Sequence, residues 1–154
     1  MGSEQPTKRW PFRILIAGLS GVAVHWTLMC VKARMGWLPS FQPYENLQAF
    51  LSRLTGTNVH PAAPWLLSFL SGATILGFAF GRLYRRLPGN SGWMKGISFG
   101  VLAWMVMGLV LFPLLEMGVF AHRMGLGIAP ALFSLAMLLT YSVAMGAVYE
   151  ALGE

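Results

Sequence analysis

Four apolar runs, each of roughly 18 or more residues, constrain this chain more than anything else in it, because a helix of that length spans a hydrocarbon core of about 30 Å. They cover about 12–33, 61–84, 93–120 and 128–152. The composition agrees: 56% of the 154 residues are hydrophobic and only 10% charged, with a mean hydropathy of +0.61, far from the balance of a soluble domain. The expected fold is all-α, a polytopic membrane protein whose four transmembrane helices form two tandem hairpins after a polar tail over residues 1–11. The runs cannot be soluble helices, and the first is too long, and too poor in small residues at a cleavage position, for a secretory signal.

The connections differ in character. Arg82 to Lys95 is a short basic turn punctuated by Pro88, Gly89 and Gly92. Residues 34–62 form a long connection in which Leu47, Phe50, Leu51 and Leu54 recur at helical spacing, with Pro43 suited to a first turn and Gly56 to an end. Segment 43–56 therefore reads as a short amphipathic helix, lying on the membrane or covering the mouth of the bundle. Pro113 is an expected kink within the third span.

Charge sets the orientation. With four spans, the start of the chain, the 82–95 turn and the end of the chain share one side, which holds Lys8, Arg9, Arg13, Arg82, Arg85, Arg86 and Lys95. The other side holds Lys32, Arg34, Arg53 and Arg123. The positive-inside rule puts both termini in the cytoplasm and the protein in an inner membrane. The net charge of +6 is then the charge of cytoplasmic loops, and no nucleic-acid partner is expected; the lipid bilayer and other membrane subunits are.

Small residues mark where helices meet: Gly18 and Gly21 in the first span, Gly77 and Gly81 in the second, Gly96 and Gly100 in the third, Ser142 and Gly146 in the fourth. All lie toward the cytoplasmic ends, so the bundle should be tight there and looser at the other. Ala63-Pro-Trp-Leu-Leu-Ser68 echoes Ala129-Pro-Ala-Leu-Phe-Ser134, and Met35-Gly36 precedes Met117-Gly118 at the spacing that separates Gly18 from Gly100. These echoes predict a parallel repeat about an axis along the membrane normal.

Arg82 to Pro113 reads R-L-x5-G-x2-G-W-x2-G-x2-F-G-x3-W-x8-P, and the chain closes with Tyr141-Ser-Val-Ala-Met-Gly-Ala-Val-Tyr149. Together these resemble an uncharacterised family of small four-helix bacterial inner-membrane proteins, a domain of unknown function. The resemblance implies a bacterial source and a four-span fold. It carries no catalytic residue over.

Few residues could carry chemistry. His25 is the one histidine within a span, and Met29 one turn later shares its face, which would suit a haem or copper ligand pair. A b-type haem wants two mid-membrane histidines, however, and His60 and His122 fall at a surface, so the simpler reading is a histidine hydrogen-bonded to a neighbouring helix. Cys30 reads as a small buried hydrophobe, and Trp26 and Trp104 as indoles facing protein partners. There is no Asp, no Cys pair and no phosphate loop. No catalytic residue, metal or cofactor is expected. Glu116, an acid inside the third apolar run, needs a cation, and Arg34 at the matching depth of the first span is the expected partner, with Lys32 and Arg123 also available. The function expected is a non-catalytic accessory or stabilising subunit of a larger membrane complex of respiratory or photosynthetic type. The alternative is a small homo-oligomeric transporter or channel.

Overall fold

The computed structural model describes residues 10–153. In chain order these form α1 (Trp10–Met35), α2 (Pro43–Thr55), α3 (Ala62–Leu83), α4 (Gly92–Leu114), a 3-10 segment (Val119–Met124) and α5 (Ala129–Ala151), with no strand among the described residues. Four of these helices, α1, α3, α4 and α5, are long and apolar enough to cross a membrane, so the chain is a multi-pass membrane protein. Residues 1–9 of the expected tail lie outside the described residues, and Trp10 and Pro11 already belong to α1.

Helix ends follow local chemistry. α1 stops at Gly36, whose φ of 65° suits a residue without a β-carbon. The Trp37 N–H donates to Lys32 O and the Gly36 N–H to Ala33 O, which satisfies carbonyls the helix end would orphan. α4 ends six residues before the expected boundary at residue 120. Pro113 lacks the N–H that would continue the ladder to Leu109, and the helix has already widened into a π turn over Met107–Leu111. Glu116 then takes the left-handed position (φ 63°) that glycine holds in α1. Its N–H donates to Pro113 O and that of Met117 to Phe112 O. A second π turn, Ser71–Leu76, lies within α3.

The bundle is tightest at the end where α1 begins and α5 finishes. A β-carbon at Gly18 would sit 2.5 Å from Ala73 O of α3, and one at Gly21 would sit 2.6 Å from the Tyr141 ring of α5. Gly96 lies against the carbonyl of Ser142, and Gly92 and Gly146 lie against each other's carbonyl. Gly77 and Gly81 accommodate Ile14, and Gly100 rests on Leu138 and Leu139. Without lipid-excluded water to drive association, such close approach is what holds spans together. Phe80, Phe99, Tyr141, Met145 and Tyr149 fill the space beside this seam.

The resulting order around the bundle is α3, α1, α5, α4: α1 packs on α3 and α5, and α4 packs on α5, while α3 and α4 meet only slightly. A two-fold repeat would relate the α1–α5 contact to an equally large α3–α4 contact. The packing lacks that symmetry. The ring is closed between α3 and α4 near the termini, where Phe80 and Phe99 stand edge to face at 5.3 Å.

The seam has a graded consequence. Gly96→Ala meets backbone and should lower stability by about 1–3 kcal/mol, whereas Gly81→Ala meets the flexible end of Ile14 and should lose less. Thermal unfolding of the detergent-solubilised variants measures the order; equal losses would mean the Gly96 backbone contact is not a constraint.

Candidate binding cavity at the far end

Away from the termini the spans enclose a cavity of about 400 Å³. Every span contributes to its wall, and α2 roofs it with Tyr44 and Leu47. The amphipathic segment thus covers the mouth of the bundle. Leu47 and Phe50 turn inward onto Phe41, Phe112 and Leu115. Leu54, expected on the same stripe, is exposed. Gln48 donates to Val59 O at 2.8 Å, and the Val59 N–H donates to Ser52 Oγ at 3.1 Å, which ties the roof to the chain that returns into α3.

Lys32 fixes the other margin. It is only 5% exposed. Its ammonium donates to Phe41 O at 3.0 Å and stands 5.9 Å from the Phe133 ring, so the 36–42 connection folds back over the bundle and delivers Phe41 to the wall. A buried ammonium needs such partners.

The wall is almost wholly apolar, with Met29, Met107, Leu111, Phe112, Phe133 and Met137 prominent. Its polar feature is a chain of three side chains from three elements. His25 Nε2 and Tyr44 Oη share a hydrogen bond of 3.0 Å, and Tyr44 Oη and Ser68 Oγ share one of 3.1 Å. Tyr44 stacks on Trp65 at 4.0 Å, which locks its ring. Burial pushes the Tyr44 phenol up from its ordinary value, with the Ser68 hydrogen bond pulling weakly the other way, so Tyr44 keeps its proton at neutral pH. Both π turns border this space, through Ser71 in one and Met107 and Leu111 in the other. The wider π turn leaves carbonyls off the regular ladder, and Tyr141 donates to Gly72 O at 2.6 Å.

His25 and Met29 therefore do share one wall, and His25 has the neighbouring-helix partner expected of it. Among the described residues no group of three or more His, Cys, Asp or Glu could hold a metal. Trp104 donates to Ala131 O at 3.0 Å, as its depth required. Trp26 instead packs on Trp65 and Phe69 with 38% of its surface exposed, and Cys30 is exposed rather than buried.

The expected Glu116–Arg34 pair does not form. Glu116 pairs with Arg53 of α2, and Arg34 lies exposed at the end of α1. Because α4 stops early, Glu116 sits on the rim rather than inside a span, and the roofing helix brings Arg53 to it. Near the termini a second acid was missed: Glu150 Oε2 accepts the Gly92 N–H at 2.8 Å and so caps the start of α4, where a carboxylate also meets the positive end of the helix dipole. Arg13 donates to Tyr149 O at 2.8 Å and lies over the same tyrosine's ring.

The hydrogen bond and charge of Arg53 hold the Glu116 carboxyl below its ordinary value of 4.5, with a smaller contribution from Arg123. A depressed folded-state value means that the pair's contribution is present above the unfolded value and is lost as pH falls through the folded one. Carbon NMR of labelled glutamate should show Glu116 titrating below 4.5, and Arg53→Gln should raise its midpoint toward that value. An unmoved midpoint would rule out the pair.

No curated protein and no solved structure matches this chain. Residues 11–154 match the profile described as Family of unknown function (DUF6789), and the four apolar helices are built along that matched length. The chain belongs to that family.

Proposed function

We propose that this protein is a non-catalytic accessory subunit that stabilises a larger complex in a bacterial inner membrane, of respiratory or photosynthetic type, with both termini in the cytoplasm. The observation that carries the reading is the seam. Over the half of the bundle nearest the termini, backbone meets backbone between α1 and α3 and between α4 and α5, and the cavity stops short of that half. A conduit within one copy would have to break those contacts, and a static packing unit would not. Charge supports the orientation: Arg13, Arg82, Arg85, Arg86 and Lys95 gather at the terminal end, while at the other end Arg53 is paired and Lys32 is buried.

A homo-oligomeric transporter is the second reading, with its path between copies rather than through one. Extraction in a mild detergent followed by native electrophoresis separates the two. Co-migration with a larger complex, whose stability falls when this chain is deleted, is the result expected. A homo-oligomer alone that conducts ions or solutes in liposomes would overturn the subunit reading. Reporter fusions at Asn90 should read cytoplasmic and fusions at Gly56 periplasmic, and the reverse pattern would reject the orientation.

A further inference from the structure

The cavity has a polar end whose protons do not all find acceptors. With the imidazole neutral, His25, Tyr44 and Ser68 carry one exchangeable proton each on their side chains, and the two hydrogen bonds that join them use two. Among the described residues none of these three side chains makes another hydrogen bond, so one donor is left over: at His25 Nδ1, at Ser68 Oγ, or at Tyr44 Oη if both neighbours donate to it. A protonated imidazole would only add a second. The rest of the wall is Met, Leu, Phe and Pro43 with two hydroxyls, Ser71 and Ser134, that donate to Ser68 O and Ala131 O, and in such a wall an unmatched donor is costly.

The cavity also has a way in from the lipid. Leu67 of α3 and Leu111 of α4 line it and are at the same time exposed on the outside of the bundle. They stand on the two helices that scarcely pack on each other. The π turns fall on those same two helices. An opening there faces the bilayer interior, whereas the roof formed by α2 separates the cavity from water.

We propose that this cavity binds a neutral membrane-soluble amphiphile, which accepts a hydrogen bond from the His25–Tyr44–Ser68 chain through a carbonyl oxygen and leaves its apolar tail between α3 and α4. A volume of about 400 Å³ is in the range of small-molecule sites and takes a headgroup with the first part of a tail. The buried ammonium of Lys32 already has Phe41 O as acceptor, so the wall asks for no anion. An isoprenoid quinone and a diacylglycerol both offer the required carbonyl.

The full chain in mild detergent can be titrated with a decyl-substituted benzoquinone, reading the fluorescence of Trp65, which stacks on Tyr44; the Trp65→Phe protein supplies the background to subtract. Saturable quenching is expected, weakened about three- to tenfold in Ser68→Ala and in His25→Phe, the range for one lost hydrogen bond. Met107→Trp, which fills the cavity, should abolish it. Leu132→Ala, on the exposed outer face of α5, should leave it unchanged. Displacement of the quinone by dioctanoylglycerol would assign the site to carbonyl lipids in general, and failure of displacement would assign it to quinones. Saturable binding of dioctanoylglycerol alone, read by thermal shift, would assign it to acyl lipids. Binding of neither probe, or binding equally strong in Met107→Trp and in a Ser68→Ala protein whose thermal unfolding is unchanged, would overturn the proposal.

Discussion

Backbone-to-backbone contact along the glycine seam is the constraint on which the rest of this structure depends. In a bilayer, lipid tails are as apolar as leucine side chains, so helices gain little by merely facing each other. What they gain comes from approach close enough for main-chain atoms to touch, and that requires a missing β-carbon at the crossing. Gly18 under Ala73, Gly96 under Ser142 and the reciprocal pair Gly92 and Gly146 meet that requirement. All of them sit in one half of the bundle. In the other half the inward residues are Met29, Met107, Phe112 and Met137, which hold the helices apart, so the space that becomes the cavity follows from where the glycines end.

The far half is organised by a different device. α2 is anchored by Gln48, Ser52 and the Tyr44–Trp65 stack rather than by a helix crossing. Three backbone irregularities meet there: the π turns of α3 and α4, and the left-handed residues Glu116, Phe120 and Ala121 after α4. Phe120 folds back to lie against Trp104 and over Gly108. These features trade regular helix for shape, and the π turn of α3 runs from the cavity wall at Ser71 into the seam at Ala73. A non-glycine residue in the left-handed region is strained by its β-carbon, and Glu116, Phe120 and Ala121 all take that conformation.

Much of this was legible in the sequence, and the reasons are local. The spans follow from run length, the seam from the spacing of small residues, and the roofing helix from the period of Leu47 and Phe50. Local pattern could not say that α4 ends at Leu114, because residues 115–120 are apolar apart from Glu116 and Pro113 reads as a kink within a span, whereas the chain turns away through the positive φ at Glu116 and Gly118. Nor could it pair Glu116 with Arg53, since matching depth along two spans pointed to Arg34 and the position of α2 over the bundle was open. The His25–Tyr44–Ser68 chain joins three elements separated by two connections. Each residue alone carried a polar signal, but nothing in their spacing joined them. The repeat misled for a related reason: small and apolar residues recur in every span, and recurrence does not specify which helix packs on which.

α5 has a position in the ring that bears on how the membrane first receives the chain. It is the one helix that touches both α1 and α4 extensively, and its Glu150 caps the start of α4. It is also the last of the four to be synthesised. The earlier spans must therefore dwell in the lipid or against the insertion machinery with half of the seam unfilled and the first turn of α4 uncapped. Assembly cannot proceed hairpin by hairpin to completion; it waits for the final helix, which arrives as a keystone between two elements already in place.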